Sequence, residues 1–466
     1  MSRRSAVPSD TIAVLGGSLA GLFVAAAAAG AGREVTILER DPRPDGPVWR
    51  AGVPQGRQAH VLLYRGLVAM EELLPGLRRQ LLDAGAVPFD TGELAWLGEY
   101  GWSPVGIPGF EVVSATRPLL EDVVRRRVAA LPGVEISYGT RVKALSRTPT
   151  GWRVHFRRQA GPANGASDEE GAADADLVVD ASGRTSRLRT WLPLLGVEEP
   201  RYEAVDARVG YAARLYARGS EEIGVPGIIL LATPDVPRGA VALPVEDDRW
   251  LIGEVGFGAD RPPRDPAGFE TFLNTLRDPA IAGLAERCEP VSDVFVHRQT
   301  ANERHAYERV GDWPDGLLVV GDALAAFNPI YGQGITVAAM EALLLRGALT
   351  GGLRHGSAAR LMDSFAAAVR LPWAIATGED VRFPTADHGP SWAQRLLRSW
   401  TAELTVLAVH GDRRAARILA RIYHLMAPPV LLFHPQLFAS AARARVRGRR
   451  PAAPRPLGLP HVTSPR

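Results

Sequence analysis

Thr11-Ile12-Ala13-Val14-Leu15-Gly16-Gly17-Ser18-Leu19-Ala20-Gly21 leads through an alanine-rich run ending at Gly30 into Glu34-Val35-Thr36-Ile37-Leu38-Glu39. The two apolar pentads have the length and composition of buried parallel strands, and Leu19–Gly30 between them that of a helix. Gly16 and Gly21 fit the first and third glycines of a dinucleotide fingerprint. The middle position is Ser18, a departure, with Gly17 beside it. Such a turn brings backbone N–H groups close to a phosphate at a helix N-terminus, whose partial positive charge favours an anion. Glu39 closes the second strand 18 residues beyond Gly21, placed to accept from ribose hydroxyls and to repel a 2′-phosphate. A generic strand–helix–strand unit without ligand is the plainer alternative. Ser2-Arg3-Arg4 before an apolar run imitates an export signal, but the glycines and the strand that follows have no role in a leader.

Two further segments repeat the strand-then-turn pattern. Asp176-Leu177-Val178-Val179-Asp180-Ala181-Ser182-Gly183-Arg184 ends a buried strand at a polar turn. Gly316-Leu317-Leu318-Val319-Val320-Gly321-Asp322-Ala323 delivers a carboxylate suited to a polyol. Asn328-Pro329-Ile330-Tyr331-Gly332-Gln333-Gly334 then opens a long helix, whose N–H groups and dipole favour negative charge.

Composition is that of a soluble globular protein, with 46% hydrophobic and 23% charged residues and a formal charge of +3. Only Lys143 among the 54 cations is lysine. No basic stripe interleaved with aromatics precedes the tail, which argues against nucleic acid as partner. The single cysteine, Cys288, excludes an internal disulfide and a multi-cysteine metal site; no metal site is expected, and the cytoplasm is the natural compartment. Arg443–Arg450 and the Pro-rich text after it read as a solvated, disordered tail, with membrane-surface contact as the sharper alternative.

Between the motifs, the apolar spacing of Gln58–Leu82 predicts an amphipathic helix broken at Pro75, with His60 packed on it. Segment 86–113, with Trp96, Tyr100 and Trp102, reads as a lid or substrate wall, or else as an edge hairpin. Thr116 is placed to cap a helix to Ala130. The stretch 160–175 reads as an exposed loop. Residues 200–260 turn to β text, Phe269–Glu286 is helical, and Val291–Gln299 is again a strand. After Gly334 the text is helical almost to Arg445, with breaks at Pro372, Pro384 and Pro428-Pro429.

These three motifs, in this order and spacing, resemble the single-chain FAD monooxygenases typified by p-hydroxybenzoate hydroxylase, over most of residues 11–345. Gly52-Val53-Pro54-Gln55-Gly56-Arg57-Gln58-Ala59-His60, Tyr100-Gly101-Trp102 and Gly321–Gly334 are most similar to the flavin-dependent epoxidases of bacterial polyether-polyketide pathways. The resemblance implies an α/β fold: a Rossmann-like FAD-binding domain with a parallel sheet (1–85, 114–195 and 299–355), a β-sheet substrate domain inserted in it (86–113 and 196–298), a helical C-terminal region (356–445) and the basic tail (446–466).

The resemblance also implies roles. Gly16, Gly17, Ser18 and Gly21 would face the FAD pyrophosphate, and Glu39 and Arg40 the adenosine. Arg57, Arg117, Val142, Asp180 and Gly183 would contact cofactor, Gly321 and Asp322 the ribityl chain. Pro329, Gly332, Gln333 and Gly334 would flank the ring. Trp96, Tyr100, Trp102, Tyr211 and Phe327 form the expected substrate wall. The class has Asp-Gly where this chain has Ser182-Gly183, and often His where it has Ala325. With no second dinucleotide motif, NADPH or NADH would bind transiently, or a partner reductase would supply reduced flavin. The resemblance implies oxygen transfer from a flavin C4a-hydroperoxide to an alkene of an apolar polyketide- or isoprenoid-like biosynthetic intermediate. That step asks for no protein nucleophile or strong base, and none is assigned; His297 and His305 are read as structural. An aromatic-ring hydroxylase and a prenyl or alkene reductase are the rivals. A halogenase needs a catalytic lysine, which Lys143 in a hairpin strand does not supply.

Overall fold

The structure is a computed structural model and describes residues 11–159, 168–219, 223–353 and 356–462. The two opening pentads, Thr11–Leu15 and Glu34–Leu38, pair in parallel. They sit in a five-stranded sheet ordered Leu317–Val319, Leu177–Asp180, Thr11–Leu15, Glu34–Leu38, Val134–Ser137, every pairing parallel. The strands leading into the three turns are parallel neighbours, so all three turns emerge together past the carboxyl ends of the strands. Helix Leu19–Ala29 is buried along nearly its whole length, which its alanines permit because they leave room for close packing against helix Gln333–Thr350.

A second sheet of seven strands runs Phe295–His297, Val209–Ala217, Arg249–Phe257, Arg238–Val245, Ile228–Leu230, Ala95–Gly98, Gly101–Trp102. Segment 86–113 therefore contributes an edge hairpin of this sheet rather than a lid. One face of the sheet is covered by helices Pro266–Leu273 and Ala280–Arg287, which bury Phe269, Phe272, Ile281 and Leu284. The expected single helix 269–286 is two: the first stops at Leu273, and Pro279, whose ring fixes φ and which lacks an N–H, caps the start of the second.

Other expectations are corrected locally. The break expected at Pro75 is present, between helices Tyr64–Leu73 and Leu77–Asp83, but the first begins at Tyr64 rather than Gln58, so His60 lies in the extended strap before it. Residues Glu169–Ala175, expected as loop, form a strand paired with Trp152–Arg158; residues 160–167 lie outside the described residues. Pro372 does not break helix Ser357–Asp380, because Val369 and Ala376 on either side are buried and hold both halves in line. The tail is ordered where it is described: Ala453 N–H donates to the Val409 carbonyl at 3.0 Å, Arg455 pairs with Asp278 at 2.9 Å, and Leu459 fills the core under the helices. Its Arg/Pro composition signals solvation, but one arginine finds a partly buried carboxylate and one leucine a hole.

Candidate functional site

The three turns converge on one cavity of about 470 Å³. Gly16 sits at φ +102°, and a Cβ there would lie 2.7 Å from the Ala181 carbonyl oxygen, so the first turn closes on the second only as glycine. Gly21 does not reach the cavity wall. A Cβ on it would fall 1.9 Å from the Gly16 oxygen, so its role is to let the helix seat on the loop. Gly17 N–H donates to Glu39 Oε2 at 2.7 Å, and Asp41 N–H to Oε1 at 2.8 Å.

Around Ser18 lies a lattice of charges that the motifs do not disclose. Ser18 Oγ donates to Glu121 Oε2 at 2.9 Å and accepts from Arg117 Nη2 at 3.0 Å. Arg50 donates to Glu121 at 2.8 Å through Nε and reaches Asp41 at 3.1 Å and Glu39 at 3.3 Å. Burial alone would raise the Glu121 pKa, but Arg117 and Arg50 outweigh it and hold the carboxyl below its ordinary value. Neither Arg50 nor Glu121 belongs to a glycine motif; a Glu four residues after Arg117 on one helix is the only signal of either in the sequence.

Arg40, Arg117, Val142, Gly183 and Gly321 line the cavity as expected. Asp180 and Arg57 do not. Asp180 is buried behind the second turn, accepting from Ser182 N–H at 3.0 Å and from the Ser182 and Ser186 hydroxyls at 2.5 Å each, so it shapes the turn. Arg57 is held with its guanidinium 4.2 Å from the ring centroids of both Trp49 and Phe295, a stacking that uses its planar cation outside the cavity.

Asp322 lines the cavity and its carboxylate accepts no hydrogen bond among the described residues. Burial, opposed by Arg184 and Arg117, raises its pKa. Gln333 also lines the cavity, and its buried Oε1 has no partner. A carboxylate and an amide oxygen left unmatched in one cavity wall are what a ligand rich in hydroxyl and N–H donors would satisfy. Behind them Glu341 Oε2 accepts from Gly321 N–H at 2.7 Å, fixing the turn that presents Asp322.

At the far end, Gly332 takes φ +65°, and a Cβ on it would meet the Val61 carbonyl at 2.4 Å. The Asn328–Gly332 loop is tied down by Asp380, which closes helix Ser357–Asp380. Asp380 accepts from Asn302 Nδ2 at 2.7 Å, Asn328 Nδ2 at 3.0 Å and the Tyr331 hydroxyl at 2.7 Å. Burial raises its pKa to about 6 against these donors. Tyr211 hydrogen-bonds Asn328 Oδ1 and accepts from Ile330 N–H at 3.0 Å.

Of the expected substrate wall only Phe327 faces the cavity. Tyr211 belongs to the lattice under the loop, Trp102 is buried and bridges to Ala453, and Trp96 packs edge-on to Tyr423 at 5.8 Å. Tyr100 stands beside Glu99 at the sheet's edge, its pKa raised by burial and then by that carboxylate. Alternation along a strand shows that side chains share a face, not which face meets a cavity.

His60 and His297, read as structural, both line the cavity. His60 Nδ1 lies 2.8 Å from the Gln58 carbonyl, and His297 Nε2 lies 2.9 Å from that of Gln299. Each nitrogen must donate there, because a carbonyl only accepts, so neutral rings keep bare lone pairs at His60 Nε2 and His297 Nδ1. Burial and then the Arg117 charge press the His60 pKa down to about 4, and burial lowers that of His297. The ring atoms are therefore uncharged at neutral pH.

No group of three or more His, Cys, Asp or Glu among the described residues is arranged to hold a metal ion, and no helix there is long and apolar enough to cross a membrane. A sequence profile of the FAD binding domain family matches residues 9–377. The chain is 30% identical to Protein Rv3254 of Mycobacterium tuberculosis over 409 residues, 84% of this chain and 85% of that protein. It is 27% identical to a kynurenine 3-monooxygenase of Salinispora arenicola, over 96% of this chain and 99% of that one. A flavoprotein/dehydrogenase from Cytophaga hutchinsonii superposes with a TM-score of 0.66 at 14% identity, over 94% of this chain and 99% of that one, a likeness of fold.

Proposed function

The chain belongs to the FAD binding domain family and is a flavoprotein oxidoreductase of its monooxygenase class; on that premise we propose that it inserts one oxygen atom from O2 into an alkene of an apolar, polyketide- or isoprenoid-like biosynthetic intermediate. FAD, when bound, supplies the electron store and the activation of O2, with electrons from NADPH or NADH or delivered as reduced flavin by a partner reductase. The residues of the cavity then divide the remaining work. The Gly16 and Gly17 N–H groups are taken by Leu38 and Glu39, so the pyrophosphate would be met by the N–H groups of Ser18, Leu19 and Ala20 and the dipole at the start of helix Leu19–Ala29. Glu39 and Arg40 stand at the adenosine end, and Asp322 and Gln333 are left to accept from hydroxyls of the chain between the rings.

The observation that carries the substrate class is the run of apolar side chains where the Asn328–Gly334 loop meets the strap at His60, with the nearby Arg184 turned to the Phe327 carbonyl at 2.9 Å. Val61, Phe327, Pro329 and Ile335 line that end with two histidines kept neutral. Such a wall suits a neutral, apolar substrate, and oxygen transfer to an alkene needs no proton removed by the protein. The bare Nε2 of His60 supports a second reading, hydroxylation of a phenol, in which that nitrogen accepts a hydrogen bond from the phenolic hydroxyl and orients it. Lys143, the sole lysine, lies in strand Thr140–Arg147 and outside the cavity wall, which leaves a halogenase reading without its amine.

Incubation of the protein with FAD, NADPH, a polyene and 18O2 is expected to give a product heavier by one labelled oxygen. Unlabelled product, or turnover that continues without O2 as in an alkene reductase, overturns the reading. His60→Phe separates the two substrates: alkene oxidation is expected to change little, whereas phenol hydroxylation would fall about 10²-fold or more.

A further inference from the structure

The C-terminal helices present a surface that the cavity does not use. Helix Trp392–Val409 is buried only along its second half, at Leu404, Leu407 and Val409. Its first turns leave Trp392 74% and Leu396 67% exposed, with Leu397 exposed beside them. Trp400, one turn on, stacks on Phe438 at 4.4 Å and donates its indole N–H to the Leu432 carbonyl at 2.7 Å. The indole thereby joins Leu396 and Leu397, one turn before it on the same helix, to the exposed Phe433 and Phe438. A hollow of about 280 Å³ lies alongside, walled by Arg414, Arg417, Arg421 and by His434 and Gln436 from the Phe438 segment.

Charge separates this region from the rest of the molecule. Residues 391–450 hold eleven arginines against Glu403 and Asp412, a net charge of +9. The whole chain totals +3, so everything outside the segment carries −6. Arg413, Arg417 and Arg421 are exposed and form no ion pair among the described residues.

We propose that this face docks the protein on an anionic lipid bilayer. Exposed tryptophan and leucine beside unpaired arginines match the interfacial zone, where apolar side chains enter the acyl boundary and guanidinium groups stay at the headgroups. A second copy of the chain is a poor occupant, because a two-fold contact would set +9 against +9. The contact is peripheral, since no described helix is long and apolar enough to cross. It places the enzyme where an apolar substrate would be concentrated, but the docking itself does not depend on what the substrate is.

Co-sedimentation of the full-length, FAD-loaded protein with vesicles tests this. Phosphatidylcholine containing about one-third phosphatidylglycerol is expected to retain the protein at low salt, and phosphatidylcholine alone to retain little. High salt should release it. Arg414→Gln/Arg417→Gln/Arg421→Gln should weaken binding on the order of a hundredfold, and Trp392→Ser/Leu396→Ser about tenfold. Both variants should keep bound flavin and the far-ultraviolet spectrum, because every altered side chain is on the surface. Equal binding to neutral and anionic vesicles, or wild-type binding by both variants, overturns the proposal. A dimer abolished by Trp392→Ser/Leu396→Ser assigns the face to a second copy instead. Binding to poly-glutamate without binding to anionic vesicles assigns it to an acidic protein.

Discussion

The two ends of the cavity are held by opposite kinds of chemistry. Around Ser18 the walls are fixed by ions: Arg50 and Arg117 interlock with Glu121, Glu39 and Asp41 at 2.5–3.3 Å. Around Asn328 they are fixed by amides and phenols gathered on a single carboxyl, Asp380. Fixed charges around Ser18 need not reorganise when an anion such as the proposed pyrophosphate arrives. The amide and phenol end is rigid around one buried carboxyl, and the apolar substrate proposed for it would meet Phe327 and Pro329 rather than that carboxyl. The two ends thus differ in the type of lattice that stands behind them, a distinction that the glycine turns do not reveal.

Four substitutions break or sharpen this contrast. Gly16→Val strikes the ionic end at its tightest point, with φ +102° and a backbone oxygen 2.7 Å from the added Cβ. FAD affinity should fall on the order of a thousandfold or be lost, read as flavin absorbance retained through gel filtration. Asp380→Ala strikes the amide and phenol end. It leaves Asn302, Asn328 and Tyr331 with unmatched buried donors, and urea unfolding should show a loss of about 3–5 kcal/mol. A loss below about 1 kcal/mol would mean that the lattice is not what holds the loop. Arg50→Gln leaves Glu39 and Asp41 without their shared cation and Glu121 with Arg117 alone, at about 3 kcal/mol of stability. It should also weaken FAD binding, whereas Asp380→Asn should leave FAD affinity nearly unchanged.

The last test uses pH. The Asp380 carboxyl is raised to about 6 by burial, from an ordinary value of 3.8. The folded state then binds more protons than the unfolded state between those values, so this group's contribution to stability falls as pH rises from about 4 to 6 and is flat above. Asparagine has no such proton. The stability of Asp380→Asn relative to the wild type should therefore improve by about 2–3 kcal/mol between pH 4 and pH 7; a pH-independent difference would show that Asp380 titrates normally.

Much of the cofactor end was legible in the sequence because its signals are local. Gly16, Gly17 and Glu39 stand at spacings set by one strand–helix–strand unit, and Asp322 and Gly334 by another. Arg50, Glu121 and Asp380 were not legible. Each acts on a segment distant in the chain, and an isolated Arg, Glu or Asp in a sequence is by default a solvated one. The substrate wall was misplaced for a related reason. Trp96, Trp102 and Tyr211 have the composition of a binding surface, but buried aromatics serve equally as core, and only the packing of helix against sheet decides between the two.

What the sequence determined by itself was the order of turns and strands, and hence the family and its cofactor, because backbone conformation at a glycine turn depends on the residues of that turn. The tertiary structure alone decided which side chains stand behind those turns. It turned Asp180 and Arg57 into braces, made His60 and His297 neutral parts of the wall, and joined the helices after residue 390 into a basic, apolar face. Desolvation and pairing are properties of a place in the fold, where residues from many segments meet, and no single stretch of chain carries them.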